Sequence, residues 1–321
     1  MPTPNSTPTI RPPGTMPMPD AALKSRPPRP PAPVPLPPFQ HAGSNDRPGM
    51  VVAQGLHRAI DGHLARHFVP TLRALTPARF LVITGGPGDG KTTSTKVICS
   101  RRQVDLVVIS GGDLSGSTED GSLAAFKEAL VGIAKIRSER QLPIALLIDD
   151  ADLGSFATGR DHVEYAVSSF VLQSALQKFS DDVCDGDPLP VFVTINELDV
   201  FRAPLFRHGR ANIYVHEISL PEKIEQVSAI LGASTEADRA VVASLVDSHK
   251  DQPIAFFASL KDAAMADAIS ELVQELGISG MPLEWATRSR LKNLGVADYI
   301  KAATTKSQKT AGSFLNGGQQ S

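Results

Sequence analysis

Cysteine is nearly absent from this chain. Its 321 residues include only Cys99 and Cys184, too few for a disulfide framework, so a reducing compartment is expected. Aromatics are scarce too: one Trp and three Tyr offer little from which to build a base-stacking platform. Neither sign of charge dominates, with 32 Lys and Arg against 34 Asp and Glu. No global field therefore favours nucleic acid or a membrane surface. No apolar run approaches the roughly 18 residues of a membrane span. The first residues form no secretory apolar core. They are poor in acids and contain arginines, as transit peptides do, but their prolines exclude the amphipathic helix such peptides need. The expected location is the cytoplasm.

Proline is abundant but confined. Sixteen of the 26 prolines fall in residues 1–48, densest in Pro27-Pro28-Arg29-Pro30-Pro31-Ala32-Pro33. Such a stretch can neither donate ladder hydrogen bonds nor continue a helix, which predicts a disordered, partly polyproline II arm. It reads as a spacer. The P-x-x-P spacing near Arg26 and Arg29 also suits an aromatic-lined groove. The polar residues 304–321 are expected to be a disordered tail.

Between these ends, short apolar runs alternate with helical stretches. Val51–Val69 carries Leu56, Ile60, Leu64 and Phe68 at helical spacing, and Pro70 should close that helix. His63 and His67 stand four apart on it. Without a carboxylate after His63 or a third ligand, they read as a solvated face rather than a metal clamp. Strands are expected at Phe80–Thr84, Val104–Ser110, Ile144–Asp149, Val191–Asn196 and Ile213–Ile218. Helices are expected at Ser122–Arg137 and Ser168–Phe179. This alternation predicts an α/β fold with a doubly wound parallel sheet, in residues 49–220. Beyond Pro221 strands cease. Glu222–Leu231, Glu236–Ser248, Ile254–Leu276 and Leu283–Ala303 predict a small all-helical lid subdomain over 221–303.

The residues that carry chemistry begin with Gly85-Gly86-Pro87-Gly88-Asp89-Gly90-Lys91-Thr92, which fits G-x-x-x-x-G-K-[ST] between an apolar strand and a helix-compatible Thr93–Cys99. Glycines let the backbone turn its N–H groups onto a polyphosphate at a helix N-terminus. Lys91 would reach the β- and γ-phosphates of ATP, and the Thr92 hydroxyl would ligate Mg²⁺. Downstream, Ile144–Asp149 ends in two carboxylates. Strand C-termini line the ligand crevice of a parallel sheet, so Asp149 can meet the metal and Asp150 can act as general base. Val191–Asn196 ends a strand in an amide able to orient water without adding charge. Arg207 and Arg210, three apart, could neutralise charge on a transferring phosphoryl group.

Order and spacing of these elements resemble the AAA+ ATPases. Within that superfamily, Thr194-Ile195-Asn196-Glu197-Leu198 and Arg202–Arg210 resemble the sensor-to-finger segment of the plant-type Rubisco activases. Asp247–Leu260, with Gln252-Pro253-Ile254-Ala255-Phe256-Phe257, is similar to their lid. Ser110–Leu114 and the Tyr165 region resemble their two pore loops. The similarity runs from about Val51 to Leu276. It implies that residues Gly85 to Thr93 bind ATP, Thr92 and Asp149 bind Mg²⁺, and Asp149 and Asp150 form the acidic pair. It implies further that Asn196 is the first sensor, and that Arg207 and Arg210 act on a neighbour's ATP in a homo-oligomeric ring, most often a hexamer. Lys261 is the candidate second sensor, where the activase lid carries two arginines and this chain has Lys261 and Ala263. Asp149 stands where the activase pattern has Asn, and the proline-rich arm replaces the folded N-terminal domain.

The expected function is Mg-dependent ATP hydrolysis by a ring that remodels a protein client, with Rubisco one candidate. The loop Gly111–Gly121 has no aromatic paddle, which suits partial remodelling more than threading. The alternative is a nucleic-acid-associated motor or loader ATPase, disfavoured by the charge balance and the lack of a basic stripe. A small-molecule P-loop kinase is disfavoured by the double arginine and the lid.

Overall fold

A computed structural model describes residues 39–40, 43–75, 78–113, 119–139, 143–153, 188–196, 209–278 and 294–301, together with 176, 179, 198, 287–288 and 303. All lie in the unit Leu36–Ser321. The elements are β1 (Phe39–Gln40), α1 (Gln54–Phe68), α2 (Pro70–Arg73), β2 (Phe80–Thr84), α3 (Lys91–Arg101), β3 (Asp105–Ser110), α4 (Glu119–Glu139) and β4 (Ile144–Asp149). A 3₁₀ turn Ala151–Leu153 follows, then β5 (Val191–Ile195), β6 (Ala211–Val215), α5 (Leu220–Leu231), α6 (Glu236–Ser248) and α7 (Ile254–Leu276). Most of the segment read as arm (residues 1–38 and 41–42 of 1–48), the second pore loop and the tail fall outside the described residues. So do residues 114–118, which follow Ser110–Asp113 of the first pore loop, and Arg207.

The sheet has the order β1-β3-β4-β5-β2-β6, with β2 to β6 all parallel. β1 adds an antiparallel edge pair on β3, Phe39 opposite Val107, at a point the sequence reads as arm. After β2 the chain skips two strand positions to β3 and returns through β4 and β5 to lie beside β2. The gap between β2 and β5 is therefore the topological switch point, where open α/β sheets bind ligands at their strand C-termini.

Both faces of the sheet are covered, and strand alternation sorts the residues between them. Phe80 and Val82 face one side with Val107, Leu146, Val193 and the α4 residues Phe126 and Ile133. Leu81 and Ile83 face the other with Leu56 and Ile60 of α1, Ile98 of α3, Leu147 and Phe192. The helices beyond Leu220 bury a separate core of Val227, Leu231, Val242, Val246, Phe257, Leu260 and Tyr299. Phe257 and Leu260 are fully buried, each contributing about 1.5–3 kcal/mol.

Helix ends follow local chemistry. α1 stops at Phe68 and Pro70 opens α2 at its first turn, where the missing N–H costs nothing. Ser219 with Glu222 and Thr235 with Asp238 form capping boxes for α5 and α6. Glu222 also accepts the Gln54 amide at 3.0 Å, tying the start of α1 to the first lid helix.

The histidine pair departs from expectation. His63 and His67 are 2% and 6% exposed, not solvated. Four-residue spacing places them on the same stripe as Ile60 and Leu64, and that stripe is the one facing the sheet. The His63 ring lies 5.3 Å from that of Phe192, and His67 Nδ1 pairs with His63 O at 2.9 Å. Neither His63 ring nitrogen has a hydrogen-bond partner. Burial pushes the His63 pKa well below its ordinary value, helped by the basic neighbours His67 and Arg66.

Candidate active site

β2 delivers residues 85–90 to the switch point, and Gly90, left-handed at φ +77°, is the N-cap from which α3 starts at Lys91. A Cβ on Gly85 would sit 2.5 Å from His216 O, so only glycine lets the loop leave β2 beside the end of β6. Lys91 is 5% exposed. Its Nζ donates to Gly85 O and Gly86 O, each at 2.8 Å, and to Asn196 Oδ1 at 2.9 Å. Burial pulls its pKa below the ordinary lysine value, against the opposing pull of Asp89, Asp150, Asp152 and Asp149.

The acidic strand end lies directly opposite. Asp149 Oδ1 accepts from the Thr92 hydroxyl and from the Thr194 hydroxyl at 2.7 Å. Asp150 sits at φ +48°, a left-handed conformation uncommon outside glycine, and its amide donates to Thr194 Oγ1 at 2.9 Å. Burial, then repulsion from Asp149 and Asp152, raises the Asp150 pKa. A carboxyl with a raised pKa holds a proton better and is a stronger general base.

Asn196 follows β5, one strand from the loop. Its Oδ1 takes the Lys91 ammonium, while its backbone N and Nδ2 both donate to Asp152 Oδ2, at 3.0 and 2.9 Å. Asp152 thus fixes the amide's orientation, and its second oxygen is buried without a partner. The structure therefore brings together Lys91, Thr92, Asp149, Asp150 and Asn196. It also recruits Thr194 and Asp152, which sequence reasoning left unassigned. Thr194 alternates onto the same face as the site. Asp152 has the signal of three acids within four residues.

The Thr92 hydroxyl and the Asp149 carboxylate are adjacent hard oxygen donors. That set fits Mg²⁺, which takes one or two such ligands and completes its shell with water and phosphate oxygens. Thr93 faces elsewhere, lining a small cleft with Asn45, Arg47, Lys96 and Val97.

Two candidates lie away from this cluster. Arg210 precedes β6, its carbonyl accepting from Phe80 N at 3.2 Å. Phe80 is the first residue of β2, whereas the phosphate loop follows its last, roughly 16 Å away by strand rise. Lys261 Nζ reaches Ile230 O at 3.5 Å, at the C-terminal end of α5. What α7 does present to the loop is its first turn: Ala255 N donates to Gly88 O at 2.9 Å and Ile254 N to Asp89 Oδ1 at 3.3 Å.

Comparison with known proteins agrees with this geometry. Residues 81–217 match the family described as ATPase family associated with various cellular activities (AAA). The chain is 26% identical over 234 residues to the ribulose bisphosphate carboxylase/oxygenase activase of Anabaena sp. (strain CA / ATCC 33047), covering 69% of this chain and 55% of the relative. It is likewise 26% identical over 251 residues to the chloroplastic activase B of Hordeum vulgare, covering 74% and 57%. The chain thus spans little more than half the length of these relatives. The crystal structure of the FIGL-1 AAA domain superposes with a TM-score of 0.59 at 15% identity, covering 87% of this chain and 91% of that one, which is a likeness of fold. With the phosphate loop, the acidic strand end and the Asn-bearing segment meeting at the switch point of such a sheet, residues 81–217 carry the AAA-family ATPase domain, and the chain is similar to the Rubisco activases over about 70% of its length.

Proposed function

We propose that this protein hydrolyses ATP with Mg²⁺ as a ring of identical copies, and uses the resulting movement to remodel a protein client. One observation carries the reading: Lys91, Asp149, Asp150 and Asn196 converge at one end of the sheet while Arg210 stands at the other. An arginine placed there cannot reach its own subunit's phosphates, but it can serve a site on an adjacent copy.

The loop amides and Lys91 bind the phosphates, Lys91 exchanging loop carbonyls for phosphate oxygens. Thr92 and Asp149 hold Mg²⁺, which when bound neutralises phosphate charge. Asp150 accepts the proton of the attacking water as its oxygen bonds to the γ-phosphorus and the bridging bond to ADP breaks. Asn196, aligned by Asp152, orients that water, and a neighbour's Arg207 and Arg210 offset the charge on the transferring group.

Among the described residues no helix is long and apolar enough to cross a membrane, and Cys99 is a free, buried thiol. The place of work in this reading is the cytoplasm. The similar proteins from Anabaena and Hordeum vulgare are named for activating ribulose bisphosphate carboxylase/oxygenase, which makes that enzyme the first client to try.

The test compares phosphate release and sedimentation of the wild-type chain with two variants. Lys91→Ala should lose nucleotide binding. Arg207→Ala should keep binding and lose about 10³-fold or more in turnover, the usual worth of an arginine finger. A protein that stays monomeric with ATP and turns over normally without Arg207 sinks the ring.

A further inference from the structure

Three lid helices begin in different ways. α5 and α6 each close their first turn with their own capping box. α7, 23 residues long, begins behind Pro253 (φ −69°, ψ 164°), which offers no side-chain acceptor. A helix leaves its first N–H groups without internal partners, and losing a cap is costly. In α7 the first two of those groups are satisfied from the other subdomain, Ile254 N by Asp89 Oδ1 at 3.3 Å and Ala255 N by Gly88 O at 2.9 Å, while Phe256 N bonds Pro253 O at 3.0 Å.

We propose that Asp89 is a positioning residue that latches the lid to the phosphate loop by capping α7 from outside the lid. Its carboxylate stands at the positive end of the longest lid helix described, where negative charge is favoured. Its backbone carbonyl is held from below, accepting from His216 Nε2 at 3.1 Å. His216 is 3% exposed and its own amide donates to Thr84 O at 2.6 Å. Asp89 is thus anchored to β2 and β6 through its main chain and to the lid through its side chain. Gly88 (φ +81°) makes the approach possible, since a Cβ there would stand 3.2 Å from the Cβ atoms of both Pro253 and Ala255.

This contact joins residues 165 positions apart inside the very loop that binds nucleotide. It rests on the ATPase reading for its consequence: a change in the loop moves the cap of α7, so lid position and nucleotide retention are linked, and linkage is reciprocal.

Amide exchange of Ile254 and Ala255, followed by NMR in the nucleotide-free full chain, tests the latch. Asp89→Ala should speed exchange there about fivefold, the population equivalent of a lost cap, leaving α5 and α6 amides unchanged. Asp89→Asn, which keeps the acceptor oxygen, should restore most of the protection. Release of a fluorescent ADP should accelerate in Asp89→Ala by a similar factor and recover in Asp89→Asn. Unchanged exchange at Ile254 in Asp89→Ala overturns the proposal, as does an equal acceleration over the whole lid or an ADP release rate that ignores the substitution. A wild-type chain that binds ADP but never hydrolyses ATP would sink the enzyme reading and leave this one standing.

Discussion

Asp149 and Asp150 are neighbours in sequence and opposites in role. Asp149 ends β4 with its carboxylate committed to the Thr92 and Thr194 hydroxyls. Asp150 turns into the left-handed region, and burial with two neighbouring carboxylates raises its pKa. A raised carboxyl pKa means that its ionised form burdens the fold: the stability it contributes is present at low pH and lost as pH rises through its folded pKa. Removing that charge should therefore help folding while harming chemistry. Asp150→Asn is expected to raise the thermal midpoint slightly, keep ATP binding, and cut turnover by about 10²–10⁴-fold, the worth of a general base. Calorimetry and phosphate release measure the two halves, and a variant that turns over normally removes Asp150 from the reaction. The acidic pair was legible because it ends an apolar run after a phosphate loop. Asp152 was not, because its partner Asn196 lies 44 positions away and only sheet order makes them meet.

At the scale of elements, periodicity and caps did most of the work. Ile144–Asp149, Glu236–Ser248 and Ile254–Leu276 follow their expected bounds, and α5 starts two residues earlier than its apolar pattern because Ser219 and Glu222 close a capping box around Pro221. α1 shows where periodicity alone falls short. Its helix is legible, but which stripe faces the sheet depends on what packs there, and that stripe includes His63 and His67. Arg66, Arg79 and the two histidines are the charged or titratable groups that act on one another there, all of them basic. Both imidazoles have pKa values below the ordinary 6.5, so they stay neutral in the fold while the unfolded chain takes up protons. Stability should be full above about pH 6.5 and fall as the pH drops below it, by at most about 1.4 kcal/mol per pH unit for each histidine. His63→Phe, which fills the space beside Phe192 without a titrating nitrogen, should flatten that slope. Urea midpoints between pH 5 and 7.5 decide it, and an unchanged slope would clear His63 of any part.

The whole molecule places the cluster of Lys91, Thr92, Asp149 and Asn196 at one end of a parallel sheet and Arg210 at the other. The proposed ring would unite them, and it makes a complementation test possible. Lys91→Ala leaves a subunit that cannot bind nucleotide but still offers its arginines, whereas Arg207→Ala leaves the reverse. Each should be inactive alone, and mixing them should yield phosphate release that neither shows. Mixtures as silent as their components, under conditions where mixed rings form, would mean that the two residues serve the same subunit's site.

Local sequence determined the phosphate loop, the alternation of strands and helices, the acidic strand end and the helix caps, because each depends on residues within a few positions of one another. Tertiary structure decided the rest. The strand order set Asn196 against Lys91 and Asp152, the face of α1 turned toward the sheet buried two histidines, and the docking of α7 on Asp89 made the loop the cap of a lid helix. These pairings span tens to well over a hundred residues, and no periodicity encodes them: they arise only when the sheet assembles and each helix must bury its apolar face against it.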